Sequence, residues 1–226
     1  MKRFLIAATL SLTLAACASA PRGPRFGKIE PVANPSAVIA AELAFARLAQ
    51  DKGQWAAFRA TAADGAEMFV PGRVKAADWL KGRAEPAVAV KWQPHAVWSS
   101  CDGSYAVTRG GWEWSNASGS FATIWQRQKN GDLKWIADMS LTTGGASAAP
   151  EMIAARVAEC KVRPPAPPVL VVTDTDWQTG TSRDGTLHWG TGVTTLGGRT
   201  IKVSLWNGTK FETVLDQTVP ASGAPR

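Results

Sequence analysis

The chain is poor in the side chains that most often bind metal ions or transfer protons at neutral pH. Its 226 residues include two histidines, three cysteines and one tyrosine. No Cys-x-x-Cys pair occurs and the histidines, His95 and His188, are not paired, so the ligand spacing of a structural zinc site is absent. Neither histidine has a partner that suggests a catalytic triad. The sequence therefore predicts no metal site and no triad.

Membrane-spanning runs, dense basic runs and phosphate-binding loops are missing as well. The N-terminal apolar stretch, Phe4 to Ala16, is shorter than the ~20 residues that a spanning helix needs. The net charge is +7, but the basic residues are scattered and form no stripe of the kind that binds nucleic acid. No glycine-rich loop is placed between a strand and a helix. We therefore expect no nucleic-acid partner and no cofactor.

Tryptophan, by contrast, is abundant, with eleven copies in the chain. Each indole supplies a large apolar area, so a core of adequate size is expected. Most of these residues are expected to lie in the core. A minority are candidates to line a pocket for an apolar or aromatic ligand.

The first residues have the layout of an export signal. A basic start precedes the apolar stretch, which closes with small residues in the run LAAC that ends at Cys17. This run resembles the lipobox of bacterial lipoproteins. The resemblance implies that residues 1–16 are a signal peptide and that lipid on Cys17 anchors the chain to a membrane. The alternative is an ordinary secreted protein with a chance cysteine.

The residues after Cys17 predict how the folded part is held. Ala18 takes the position at which aspartate is the usual retention signal for the inner membrane, so the resemblance implies an outer-membrane lipoprotein facing the periplasm. Residues 17–34 are rich in proline, glycine and arginine and are expected to form a tether.

If Cys17 carries lipid, Cys101 and Cys160 remain as an even pair, in the oxidising compartment that the resemblance implies. Exported chains seldom keep free thiols, so the pair favours a disulfide. The alternative is two separate buried thiols that behave as small apolar side chains.

Helical patterns come first along the chain. Asn34 can cap a helix that begins beside Pro35, and apolar residues then recur at helical spacing until Asp51-Lys52-Gly53 ends it. The following elements are expected to be short: a helix at Trp55–Arg59, a turn at Ala62–Gly65, an extended piece at Glu67–Val70 and a helical turn at Ala76–Lys81.

Strand patterns follow. Val88 to Trp98 alternates between apolar and polar residues, and Pro94 implies an edge or a bulge there. Three more strands are expected at Tyr105–Trp114, Ser120–Gln128 and Leu133–Leu141. Helices followed by an antiparallel meander predict an α+β fold.

The C-terminal part has a different pattern. Residues 143–168 are expected to hold a short helix, Pro150–Ala158, and a proline-rich linker. Residues 169–226 predict a β-rich appendage, because a β-like run at Val169–Thr173 precedes hairpin signals at Asp184-Gly185 and Asn207-Gly208. We expect the appendage to pack on the first part.

Residues 35–142 resemble a known superfamily. The pattern of apolar and turn positions is similar to that of the SnoaL-like and ketosteroid-isomerase-like group, and within it to an exported bacterial branch of unknown function. The resemblance implies a cone-shaped, curved antiparallel sheet wrapped on the N-terminal helix, as in cystatin-like and nuclear-transport-factor-like folds. It also implies a pocket at the open end of the cone and suggests a homodimer. It rests on runs at residues 41–46, 55–58, 70–72, 79–80, 92–94, 105–112, 121–127 and 135–138.

Enzymes of this superfamily place a carboxylate base and polar donors inside the cone. The matching candidates are Glu42, Tyr105 and Asp138, with Arg109 as a further donor. Glu42 borders an apolar helix face, so it should find a donor in Tyr105, Arg109 or a tryptophan indole. The expected pocket residues are Glu42, Phe45, Phe58, Trp92, Tyr105, Arg109, Trp125 and Asp138.

Two functions remain open from the sequence. The first is a non-catalytic envelope lipoprotein whose cone binds a small apolar ligand or a protein partner. The second is a cofactor-free periplasmic isomerase, lyase or hydrolase that uses Glu42 or Asp138 as general base. A structural role for these carboxylates favours the first.

Overall fold

The first helix, α1, spans Pro35–Lys52 in a computed structural model of the chain. The side chain of Asn34 accepts a hydrogen bond from the Ala37 N–H, and the helix ends at Gly53, whose φ of 103° suits a residue without a side chain. Both predicted ends are therefore confirmed. The structure describes residues 32–115, 117–141, 145, 148–166 and 175–221. Cys17, the tether up to residue 31 and the run Val169–Thr173 lie outside these residues.

Two short helices and a hairpin follow α1. They are α2 (Gln54–Thr61), β1 (Ala62–Phe69), β2 (Arg73–Lys75) and α3 (Ala76–Leu80). The expected turn at Ala62–Gly65 is wrong, since these residues begin β1. β1 pairs in parallel with a strand at residues 133–141, and this pairing begins at Ala62, before the extended piece that the sequence predicted.

The main sheet has seven strands in the order β2-β1-β6-β5-β4-β3-β7. Its central strands follow the prediction, and the register between β3 and β4 shifts between Pro94 and Ala96, as the proline implied. The bounds are β3 Lys91–Ser99, β4 Tyr105–Trp114, β5 Ala117–Arg127, β6 Leu133–Leu141 and β7 Ala154–Val157.

The short helix expected at Pro150–Ala158 is wrong. Residues Ala154–Val157 instead form β7, which pairs in parallel with Ala96–Ser99 of β3. The backbone groups on the outer side of β3 supply hydrogen-bond partners for the unpaired terminal N–H and C=O groups that make so short a helix marginal. Edge pairing therefore outweighs a weak local helical pattern.

A second sheet contains β8 (Thr175–Thr181), β9 (Leu187–Thr194), β10 (Arg199–Trp206) and β11 (Phe211–Val219). The order is β11-β10-β9-β8, and all neighbours are antiparallel. Both predicted hairpins are confirmed: Gly185 and Gly208 stand in the turns with positive φ.

The two faces of the main sheet carry different cores. One face packs against α1, α2 and α3 through a cluster that includes Phe45, Phe58 and Trp125. The other face shares a cluster with the second sheet, including Ile124, Ile201 and Leu205. The central strands are therefore buried on both faces, and neighbouring residues along a strand enter different cores.

A disulfide ties the segment after β7 to the turn between β3 and β4, and an ion pair links the main sheet to the second one. Cys101 and Cys160 form the predicted disulfide, with their Cα atoms 5.4 Å apart. Near the other edge, the buried Arg73 guanidinium is 2.7 Å from a Glu67 carboxylate oxygen and 2.9 Å from one of Asp176 in β8. The fold is thus mixed α+β and mostly strand. None of the helices in its described parts is long and apolar enough to cross a membrane.

Candidate functional site

An aromatic cavity lies on the helix-covered face of the main sheet. Its volume is about 220 Å³, and α2, strands from both halves of the sheet and the segments around Val70 and Val90 enclose it. Four indole rings, three phenylalanine rings and one methionine side chain dominate the wall. The lining residues are Gln54, Trp55, Phe58, Met68, Phe69, Val70, Val90, Trp92, Trp112, Trp114, Phe121, Asp138 and Ser140.

Three of the four lining indoles have their N–H groups bound to the protein. Trp92 donates to a Glu42 carboxylate oxygen at 2.8 Å. Trp112 donates to the Ser120 carbonyl at 3.0 Å, and Trp114 to the Val88 carbonyl at 2.9 Å. These indoles therefore offer a ligand carbon surface and π electrons rather than a hydrogen-bond donor.

Asp138 is the ionisable residue in the cavity wall. It lies in a row across the sheet, because β4 pairs Thr108 with Thr123 and β5 pairs Thr123 with Asp138. The Thr123 hydroxyl donates to one Asp138 oxygen at 2.9 Å. Burial among apolar rings raises the pKa of Asp138 to about 7; the Thr123 hydrogen bond lowers it, and the nearby Glu42 charge raises it further.

Glu42 is a fully buried carboxyl on α1, behind the cavity wall. Three donors meet its two oxygens: the Trp92 indole, the Thr108 hydroxyl at 2.6 Å and the Trp125 indole at 3.1 Å. The expectation of an indole donor is confirmed twice. Burial raises the pKa of Glu42, and the three hydrogen bonds oppose that rise.

The Thr108 hydroxyl lets this cluster accept a proton. The hydroxyl donates to Glu42 and also lies 3.4 Å from the Thr123 carbonyl oxygen. The Trp125 indole N–H donates to the same Thr108 hydroxyl oxygen at 3.1 Å. If Glu42 carried a proton, the hydroxyl could accept from it and turn its own hydrogen towards the carbonyl. The hydrogen-bond pattern thus fits either charge state.

Tyr105 and Arg109 do not take part in this site. Both lie on the opposite face of the sheet, because odd-numbered residues of β4 face the second sheet. The Tyr105 hydroxyl accepts from Gln126, and Arg109 donates to the side chain of Gln217 in β11. Neither donates to Glu42, so that part of the expectation is wrong. The alternation of side chains along β4 places both residues on the face away from Glu42.

The remaining predicted pocket residues fall into two layers. Phe58, Trp92 and Asp138 line the cavity. Glu42, Phe45 and Trp125 lie beneath that wall, essentially without exposure to solvent. They support the lining through edge-to-face ring contacts and the Glu42 hydrogen bonds.

Sequence reasoning missed two threonines and most of the wall. Thr108 and Thr123 connect the carboxyls, and Trp112, Trp114 and Phe121 bound the cavity. The sequence signal that could have identified them is the alternation along β4, which places even-numbered and odd-numbered residues on opposite faces of the sheet. Pairing the strands of the meander through their turns would have aligned Thr108, Thr123 and Asp138.

Comparison with known proteins supplies no assignment for this arrangement. No protein family model matches the chain, and no curated protein matches it significantly. Within the described residues, no group of three or more His, Cys, Asp or Glu side chains is arranged to hold a metal ion. The chemistry of the site therefore rests on its own geometry.

Changing Glu42 should separate hydrogen bonding from charge. Glu42→Gln keeps an acceptor for Trp92 and can donate to Thr108, so we expect a loss of less than about 1 kcal/mol in unfolding free energy. Glu42→Ala strands buried donors and leaves a void, and should cost roughly 2–4 kcal/mol. Denaturant unfolding measures both. The exposed Glu151→Ala serves as control, and equal damage from the two Glu42 variants would contradict this account.

Asp138→Asn should change how stability depends on pH. With a pKa of about 7 in the folded state against the ordinary aspartate value of 3.8, native Asp138 holds a proton that the unfolded chain releases between these pH values. Stability from this group is therefore present at low pH, falls as pH rises through about 7 and then levels off. The amide escapes this loss while still accepting from Thr123.

We therefore expect Asp138→Asn to melt roughly 2–8 °C above the wild type at pH 8, since about 1 kcal/mol corresponds to about 2–4 °C at this size. The difference should vanish towards pH 4. Melting curves across this range provide the measurement, with the exposed Asp64→Asn as a control for net charge. A constant difference at all pH values would show that Asp138 titrates normally.

Proposed function

We propose that this protein binds a small, largely apolar ligand in the aromatic cavity without chemical conversion. The observation that supports this most directly is the wall itself: four indoles and three phenylalanines surround an open space, with few polar groups. The cavity of about 220 Å³ is partly open to solvent, so a ligand of matching size can enter it.

Size limits the ligand. A dry cavity of about 150 Å³ is enough to bind benzene in another protein. A volume of about 220 Å³ thus suits a molecule with one ring or two small rings. Asp138 and Ser140, two residues apart on β6, would orient a polar end of it.

The fold assignment belongs to the same proposal. A sheet that covers α1 on one face, with a cavity beside that helix, is compatible with a SnoaL-like cone. The pairing of β1 with β6 and the position of Glu42 beneath the cavity support it. The second sheet then covers the outer face of the cone.

The cellular setting is proposed from the N-terminal sequence. A lipid-bearing Cys17 would hold the ligand-binding part at the periplasmic side of the outer membrane. The Cys101–Cys160 disulfide supports an oxidising compartment of this kind.

Cys17→Ser tests the anchor. The variant should leave the membrane fraction or remain unprocessed, because serine cannot carry the thioether-linked lipid. Cell fractionation and intact mass provide the measurement, with wild type as reference. Correctly processed Cys17→Ser protein in the membrane pellet would reject lipidation.

A second function is favoured by one observation. The pKa of Asp138, raised to about 7 by burial, suits a general base at neutral pH. A cofactor-free isomerase, lyase or hydrolase would also need a donor for developing negative charge. The donors expected from the sequence, Tyr105 and Arg109, lie on the other face of the sheet, and three of the four lining indoles have their N–H groups engaged. Binding is therefore the preferred function.

Ligand binding can be tested with 1-naphthol by calorimetric titration. We expect a Kd of roughly 10 µM to 1 mM, as befits a small apolar ligand. Ser140→Phe should weaken binding at least about tenfold by filling the cavity. Ser36→Phe, the same change at an exposed site on α1, should not. Circular dichroism verifies that both variants are folded.

Equal binding by the Ser140→Phe and wild-type proteins would place the ligand elsewhere and reject the proposed cavity. Turnover is examined in the same samples by analysing recovered ligand. A converted product that disappears in Asp138→Asn, with binding retained, would favour the general-base function over simple binding.

A further inference from the structure

The charge inside the aromatic cavity has one sign. Among the residues that the structure describes, its wall contains a single ionisable side chain, Asp138, and neither lysine, arginine nor histidine. The second carboxyl, Glu42, lies behind Trp92 and acts on Asp138 through its charge. The groups that contact Asp138 from neighbouring strands are the neutral Thr123 and Met68. Any charge that the site carries is therefore negative.

The charged form of Asp138 receives little hydrogen bonding from the protein. Thr123 donates to one oxygen, Oδ2, and within the described residues the other, Oδ1, accepts no hydrogen bond. A carboxylate among indole rings loses hydration that a single hydroxyl cannot replace. A positively charged ligand beside Oδ1 would supply the missing partner, whereas an anion would add repulsion.

The wall favours a cation for an independent reason. Indole rings attract a positive charge over their faces more strongly than other aromatic side chains do, and aromatic cages recognise alkylated ammonium groups in this way. Trp55, Trp92, Trp112 and Trp114 all contribute to the wall. Since three of their N–H groups are bound elsewhere, the π surface is what they offer.

We propose that the natural ligand of this cavity is a small organic ammonium cation, with its alkylated nitrogen among the indole rings and Asp138 as counter-ion. This inference rests on the proposed function, since it names the class of ligand for the same cavity. An alkylated ammonium is apolar enough for the wall and carries the charge that Asp138 requires. An unalkylated ammonium group or a metal ion holds its water more tightly and therefore fits the wall less well.

Binding of the cation should depend on pH. The ligand favours the charged form of Asp138, so its affinity should rise as the pH increases through the range in which Asp138 loses its proton. Glu42 adds to the negative charge in the same direction. A neutral ligand of the same shape should bind equally well, or somewhat better, at low pH.

Choline and 3,3-dimethylbutan-1-ol form a suitable pair of probes, because they share a shape and differ by a quaternary nitrogen in place of carbon. At pH 8.5 we expect choline to bind at least about tenfold more tightly, a gap typical of a desolvated cation on aromatic rings. At pH 5.5 the gap should shrink. Calorimetric titration or ligand-observed NMR measures both probes.

Asp138→Asn should reduce the preference to less than about threefold, because the wall keeps its shape but loses its counter-ion. Asp64→Asn removes the same formal charge from an exposed site and should keep the preference. Trp114 is a half-exposed ring on the rim of the cavity. Trp114→Leu should therefore weaken the binding of choline more than the binding of the neutral probe.

The outcomes separate the inference from the proposed function. If both probes bind alike at pH 8.5, or if Asp138→Asn keeps the full preference, the cation is rejected and apolar binding stands. If 1-naphthol binds and choline does not, the conclusion is the same. If none of the three compounds binds, both the inference and the proposed function fail.

Discussion

The structure depends on a sheet whose central strands are covered on both faces. Residues of β4 and β5 alternate between a core shared with the helices and a core shared with the second sheet. A polar side chain that points into either core has little water to bind, so it must find its partners within the protein. This constraint explains why Thr108, Thr123 and Glu42 are joined in one hydrogen-bonded cluster.

The two carboxyls meet this constraint in different ways. Glu42 has three donors and a threonine hydroxyl that can reverse its direction, so its burial is compensated in either charge state. Asp138 has one donor and a cavity on its other side. Removing an incompletely paired carboxylate from water destabilises the folded state, and such costs persist mainly where a site has a task. Glu42, whose burial is compensated by hydrogen bonds, therefore supports the wall, and Asp138, whose burial is not, faces the cavity.

Local features of the fold could be predicted because their causes are local. A cap at Asn34, a break at Gly53 and hairpin turns at Gly185 and Gly208 each depend on a few neighbouring residues. The start of β1 and the strand β7 depend on backbone partners distant in sequence, which local propensity does not contain. The same holds for the site. Alternation assigns Tyr105 to one face and Thr108 to the other, but only pairing of three strands brings Thr108 and Asp138 into one row.

Trp92 connects the cavity to the hydrogen-bonded cluster behind it. Its ring borders the cavity while its N–H donates to Glu42 on α1. The position of the ring is thus fixed from the far side of the wall, by a group that does not line the cavity. A π surface attracts a cation whether or not its N–H is free, but it donates no hydrogen bond to an anion once that N–H is engaged. The hydrogen bonds that stabilise the wall therefore also engage three of its indole donors, which an anion would otherwise use, and this is the physical basis for proposing a cation beside Asp138.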